Sequence, residues 1–191
     1  MTYQGVKFKV VFNNKKAPED PRINELIKWC QTFNLKSLAP AYEGGSFGNL
    51  SFRLKENSNE FIISASRVVF GQNLCNDCFI KVTGCDLKQG IIYAEGLREP
   101  SSESMLHYAI YQKRPDINAI FHGHSKEILA KAEQLNLPQT KKEEPYGTVE
   151  LVNSVLEIID KHNFIIMKNH GFISLGKTMK EAGRISLDSR N

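Results

Sequence analysis

Long apolar runs are missing from this chain of 191 residues. No stretch approaches the roughly 18 to 20 consecutive apolar residues that a membrane helix needs, so no membrane partner is expected. The start, Met1-Thr2-Tyr3-Gln4-Gly5, lacks the apolar centre of a signal peptide, and a cytoplasmic location is the expectation. Cysteine is scarce too. Cys30, Cys75, Cys78 and Cys85 do not resemble a disulfide framework in a chain of this size. Cys75-Asn76-Asp77-Cys78 has a spacing that zinc ribbons use, with Cys85 as a third sulfur. No second pair follows it, and the four read as reduced, structural thiols. Nor does one sign of charge dominate: 25 Lys and Arg face 21 Asp and Glu, a net +4. The basic residues are scattered instead of forming a stripe interleaved with aromatics, which leaves a nucleic-acid role without support. They still raise the local concentration of an anionic metabolite.

What is present is ordinary globular material, 41% hydrophobic and 24% charged, enough for one well-packed domain over residues 1–191. No internal repeat or linker interrupts it. Residues 1–20 read as an N-terminal extension in which Val6 to Phe12 partly alternates apolar and basic, as an edge strand does when its lysines discourage further pairing. Ile23, Leu26, Ile27 and Cys30 keep helical spacing over Ile23 to Phe33. Strands are expected at Phe61 to Ser66, Phe79 to Val82 and Gly90 to Ala94, and such short strands in series favour a largely antiparallel sheet over a doubly wound parallel one. Further helices are expected at Met105 to Tyr111, Lys126 to Leu135, Thr148 to Ile159 and from Met179, the last capped by Thr178, with a polar loop over Asn136 to Tyr146.

Chemistry gathers in two places. In Ala119-Ile120-Phe121-His122-Gly123-His124 a buried strand puts its histidines, at i and i+2, on one face, where one metal ion can take both. A second apolar run, Phe164 to His170, ends in the turn signal Asn169-His170-Gly171 and delivers a third imidazole. Three imidazoles from two segments are a common ligand set for a catalytic zinc ion. Upstream, Pro100-Ser101-Ser102-Glu103 starts a helix, where a serine hydroxyl can cap the first amides and those amides can receive an anion. Glu103 then supplies a base beside the metal, which points to proton chemistry on a carbonyl compound. His107 sits one turn after Glu103 and suits a supporting or packing role, while His162 in Asp160-Lys161-His162-Asn163 reads as solvated surface. The glycine-rich Glu43 to Arg53 is either a plain hairpin turn or a cradle whose amides and Asn49 side chain receive phosphate oxygens.

Taken in order, Gly48-Asn49, Ile63-Ser64-Ala65-Ser66, Pro100-Ser101-Ser102-Glu103, His107, Arg114-Pro115-Asp116, His122-Gly123-His124 and Asn169-His170-Gly171 resemble the class II aldolase/adducin family, over about Ile23 to Ala182. The resemblance implies a three-layer α/β/α sandwich around a mostly antiparallel sheet, and zinc on His122, His124 and His170 with Glu103 as acid/base group. It implies phosphate contacts from Asn49, Ser66, Ser101 and Ser102, and a homo-oligomer, commonly a tetramer, with sites at subunit interfaces. The reaction it implies is reversible aldol cleavage of a small phosphorylated ketose to dihydroxyacetone phosphate and an aldehyde. The same metal site in this family also serves an epimerase and a dehydratase, and adducin uses the domain for assembly without turnover.

Three departures from the family pattern stand out. Arg67 follows Ser66 where the sugar-phosphate aldolases tend to have glycine, and its guanidinium either adds an anion contact or fills the pocket. The segment that supplies a tyrosine acid to the neighbouring subunit's site is shorter, around Gln134 to Tyr146; Tyr146 lies nearby without aligning to that role. The chain stops at Asn191, where relatives continue a helix that finishes the pocket.

Overall fold

Short runs of β-branched and aromatic residues bounded by glycine, proline and asparagine make most of this chain extended, and capped amphipathic segments supply the helices. The computed structural model describes residues 6–189. Met1 to Gly5 and Arg190 to Asn191, on which the readings about a leader and the chain's end rest, lie outside the described residues. In order come β1 (Lys9–Asn14), α1 (Ile23–Leu35), β2 (Ala41–Tyr42), β3 (Gly45–Ser46), β4 (Gly48–Arg53), β5 (Phe61–Ser64), β6 (Phe79–Asp86) and β7 (Ile91–Glu95). They are followed by α2 (Ser104–Lys113), β8 (Ala119–Gly123), α3 (Lys126–Lys131), α4 (Val149–Leu156), β9 (Phe164–Met167), β10 (Gly171–Gly176) and α5 (Met179–Asp188).

Eight strands form one sheet in the order β1-β7-β6-β5-β4-β8-β10-β9, and β2 pairs with β3 in a separate hairpin. Neighbours in the large sheet are antiparallel except β1 and β7, which run parallel. Alternation sends successive side chains to opposite faces. On β8, Phe121 meets Trp29 and Phe33 of α1, at ring centroid distances of 5.7 and 5.5 Å. Ser174 of β10 lies on that same face and bonds Ser186 and the Ala182 carbonyl of α5. Gly183 of α5 is where α1 approaches: any Cβ there would strike the Trp29 indole. Ser51 and His122 point the other way, toward α2, which α4 covers. Two helical layers thus sandwich the sheet, the three-layer α/β/α arrangement with a mostly antiparallel centre.

Some boundaries differ from the periodicity. Ser125 caps α3 through the Ile128 amide, 3.4 Å, but the helix stops at Lys131 instead of Leu135. The Ala132 amide tightens onto the Leu129 carbonyl, an i to i−3 bond that interrupts the ladder, and Asn136 at φ +52 closes the turns that follow through the Leu137 amide and the Ala132 carbonyl. Helix α4 starts at its Thr148 cap as expected, and its last turn tightens into a separate 3-10 turn at Ile159–Lys161. Strand β6 outlasts the apolar run Phe79 to Val82, because an irregularity between Val82 and Gly84 lets pairing with β7 continue to Asp86.

Candidate metal centre and active site

The pairing Asn49↔His122 and Phe172↔Gly123 aligns the start of β4, the end of β8 and the start of β10 at one end of the sheet. His124 follows β8 directly, its amide held by the Leu38 carbonyl at 2.7 Å. His170 comes from the three residues that join β9 to β10, where Asn169 takes the left-handed conformation (φ +55) and the His170 amide closes on Met167 at 3.0 Å. Gly171 keeps the turn against its neighbours: a Cβ there would strike the Gly123 carbonyl and lie 2.9 Å from His122 Cε1. The three imidazoles therefore converge. Their ligand nitrogens lie within 4.8 Å of one another, and among the described residues they are the only group of three or more His, Cys, Asp or Glu able to hold a metal.

Hydrogen bonding prepares those nitrogens. His122 Nδ1 lies 2.8 Å from the Phe172 carbonyl, which can only accept, so Nδ1 carries the hydrogen and Nε2 of the neutral ring keeps its lone pair. That Nε2 is 3.0 Å from His124 Nε2 and 3.0 Å from Glu103 Oε2. A tetrahedral zinc ion with Zn–N bonds of about 2.0–2.1 Å spaces its nitrogens by about 3.3 Å, close to the His122–His124 separation, and the third imidazole lies near enough to complete the set. Burial pushes His122 and His124 below the ordinary histidine range, His124 well below, and keeps both neutral and available as ligands. Burial opposes charge on His170 as well, but the Glu103 carboxylate outweighs it and raises that histidine. Burial alone would raise Glu103; the surrounding imidazoles, with the positive charge that the raised His170 carries beside it, overturn that and hold the carboxyl well below the usual range.

Glu103 sits at the N-cap of α2 without making a cap bond, and no serine hydroxyl caps that helix in its place. The serine capping expected from the sequence is thus corrected. The Ser104 hydroxyl turns back to the Ser101 carbonyl at 2.7 Å, and the Glu103 carboxylate is committed to the cluster. Its Oε2 accepts from Asn49 Nδ2 at 2.7 Å, and Oε1 lies 2.8 Å from His170 Nε2 at an angle off the ideal hydrogen-bond direction.

One cavity joins all nine candidate residues. Asn49, Ser66, Arg67, Ser101 and Ser102 line it together with Glu103, His122, His124 and His170. The Ser66 amide bonds the Glu99 carbonyl at 2.9 Å, which fastens the loop after β5 to the approach of α2 and brings three serines to one wall. Arg67 takes φ +58, a left-handed conformation that costs a residue carrying a Cβ about 1 kcal/mol and suits glycine. The glycine-rich segment proves to be both hairpin and cavity wall, through β2, β3 and Asn49. Tyr146 lines the cavity of its own chain, with the Lys7 ammonium 4.1 Å from its ring centre.

His107 stands outside the ligand set. Its Nδ1 is 2.8 Å from Ser51 Oγ, which also meets Tyr111 OH at 2.8 Å, and burial pushes the imidazole down to about 3. His162 is half-buried, away from the cavity. Sequence reasoning missed this Ser51–His107–Tyr111 network, although Ser51 shares a strand face with Asn49. It also missed Phe47, whose ring stacks on His124 at 5.4 Å; an aromatic inside a glycine-rich loop was the available signal.

Comparison with known proteins agrees with this geometry. The profile of the Class II Aldolase and Adducin N-terminal domain matches residues 24–186. An L-fuculose phosphate aldolase of Methanococcus maripaludis is 32% identical over 174 residues, 84% of this chain and 87% of that one. A 5-deoxy-D-ribulose 1-phosphate aldolase of Bacillus thuringiensis serovar kurstaki is 32% identical over 102 residues, 46% of this chain and 48% of that one. The solved structure of an L-fuculose 1-phosphate aldolase is similar with a TM-score of 0.72 at 25% identity, over 90% of this chain and 82% of that one.

Proposed function

The chain belongs to the class II aldolase and adducin N-terminal domain family, and on that premise we propose that it is a zinc-dependent lyase. Its reaction is the reversible aldol cleavage of a small phosphorylated ketose to dihydroxyacetone phosphate and an aldehyde. One observation carries this reading: three converging imidazoles and a buried carboxylate share a cavity with a serine-lined wall. The names of the relatives above, two of them aldolases of ketose 1-phosphates, support the substrate class.

His122, His124 and His170 hold the metal. Zinc bound there supplies Lewis-acid polarisation of the ketose carbonyl and its neighbouring hydroxyl. Glu103, kept ionised, takes the proton from the carbon beside the carbonyl in the condensation direction and returns it in cleavage. The Asn49 amide spends one hydrogen on Glu103, which orients the carboxylate, and has a second for the substrate phosphate. Ser66, Ser101 and Ser102 bind that phosphate, and Arg67 adds charge at the same wall. Tyr146 is the candidate for the second proton carrier. Family membership supports a homo-oligomer, a tetramer, with the sites at subunit boundaries.

The test pairs metal analysis of protein purified without chelator with a retro-aldol assay over a panel of ketose 1-phosphates. One zinc per chain and release of dihydroxyacetone phosphate are expected. Glu103→Gln should keep the zinc and lose about 10²- to 10⁴-fold in turnover. Zinc-loaded protein that releases no dihydroxyacetone phosphate from any member of the panel would remove the aldolase assignment.

A further inference from the structure

Outside the cavity, a second cluster of reactive side chains is built on the Cys75-Asn76-Asp77-Cys78 motif. A 3-10 turn at Asn76–Cys78 brings the Cys78 amide onto the Cys75 carbonyl at 2.9 Å. An i to i+3 closure of this kind holds the two Cα atoms within about 7 Å. A disulfide spans about 4.4–6.8 Å between Cα atoms, so little backbone movement separates the dithiol from a bridge. Cys75 is exposed and Cys78, three residues on, is 7% exposed.

We propose that Cys75 and Cys78 form a thiol–disulfide exchange site for low-molecular-weight disulfides, with Cys75 as the attacking sulfur and Cys78 as the resolving one. Cys75 gives up its proton and attacks one sulfur of the small disulfide. A bond forms between Cys75 and that sulfur, the small disulfide's own bond breaks, and one small thiolate leaves. Cys78 then loses its proton and attacks Cys75 Sγ, forming the intramolecular bond and expelling the second small thiolate. Two protein thiols are oxidised, one small disulfide is reduced to two thiols, and the two protons end on those products.

The surroundings select this pair. Cys30 is fully buried and burial pushes its thiol far up, while burial pushes Cys85 up to about 12, so neither competes for the oxidant. Burial also raises Cys78, partly offset by its hydrogen bond with the Cys75 backbone and by the charge of Arg98. A metal role for the motif lacks a third ligand among the described residues. The turn's place gives the chemistry a consequence. The Cys78 carbonyl accepts the Ala65 amide at 2.9 Å, one residue before the Ser66 and Arg67 wall.

The experiment incubates the full chain, metal-loaded, with oxidised glutathione, then uses intact mass and peptide mapping with free thiols trapped. The wild type should lose two hydrogens, with the bridge mapping to Cys75 and Cys78 and reversing in reduced glutathione. Cys78→Ser and Cys78→Ala should each stop at one glutathione on Cys75, and Cys75→Ser should take up none. A wild type that accumulates a stable adduct on Cys75 without a bridge, or bridges through Cys30 or Cys85, would overturn the assignment.

Discussion

At the scale of single residues, His107 shows how burial sets chemistry. Its imidazole is pushed down to about 3 by burial, against about 6.5 in an unfolded chain. The unfolded state therefore binds a proton that the folded state refuses between those values. The contribution is fully present above pH 6.5 and is lost as pH falls from 6.5 toward 3. Between pH 7 and pH 5 this one group should cost the metal-free protein about 2 kcal/mol. Urea unfolding of chelated wild type and His107→Gln at both pH values checks it: the variant's pH dependence should be shallower, and equal slopes would refute it. Arg67 is a second case, a left-handed arginine on the cavity wall. Arg67→Gly relieves the backbone, so stability should stay within about 1 kcal/mol. Loss of a charged hydrogen bond worth about 1.5 kcal/mol should raise KM for the phosphorylated ketose about tenfold while leaving kcat nearly unchanged. Steady-state kinetics decide; an unchanged KM would take Arg67 off the substrate.

At the scale of elements, the turn between β9 and β10 carries the third ligand. Its geometry depends on Asn169 in the left-handed region and on Gly171 packed against Gly123, His122 and His124. In Gly171→Ala the added carbon must displace the strand end or the imidazoles. Zinc affinity should fall about 10- to 100-fold, as when the partners that orient a ligand are removed. Competition with a chromophoric chelator measures it, and full affinity in this variant would mean that the turn does not set the ligand positions. The histidine spacing and the asparagine-glycine punctuation were legible because strand period and turn chemistry are local. The ends of α3 and β6 were not. They depend on an i to i−3 bond at Ala132 interrupting one helix and on an irregularity opposite β7 extending one strand.

At the scale of the whole molecule, β4, β8, β10 and α2 meet at one end of the sheet, and the folded state alone assembles the ligand set. Zinc should therefore stabilise by mass action. At a free concentration of one hundred times Kd the gain is about 2.7 kcal/mol, or about 5 to 10 °C in Tm for a chain of this size. The gain should shrink toward pH 5, because the raised His170 holds a proton that the metal must displace. Thermal unfolding with zinc and with chelator at pH 7.5 and pH 5 tests this; a Tm indifferent to both would place the ion elsewhere.

Sequence by itself determined the alternating strands, the capped helices, the pair His122 and His124 on one strand face, and Glu103 at a helix start. Each follows from steric and hydrogen-bonding preferences within a few residues. The order of motifs identified the family for the same reason, since the chemistry needs those residue types at those spacings. Tertiary structure alone decided that Asn49 bonds Glu103 across 54 positions at 2.7 Å, that Tyr146 reaches its own chain's cavity, and that Ser51 joins His107 to Tyr111 beneath the site. Those contacts depend on which strands become neighbours and in what register, and register is set by the shared burial of the whole sheet.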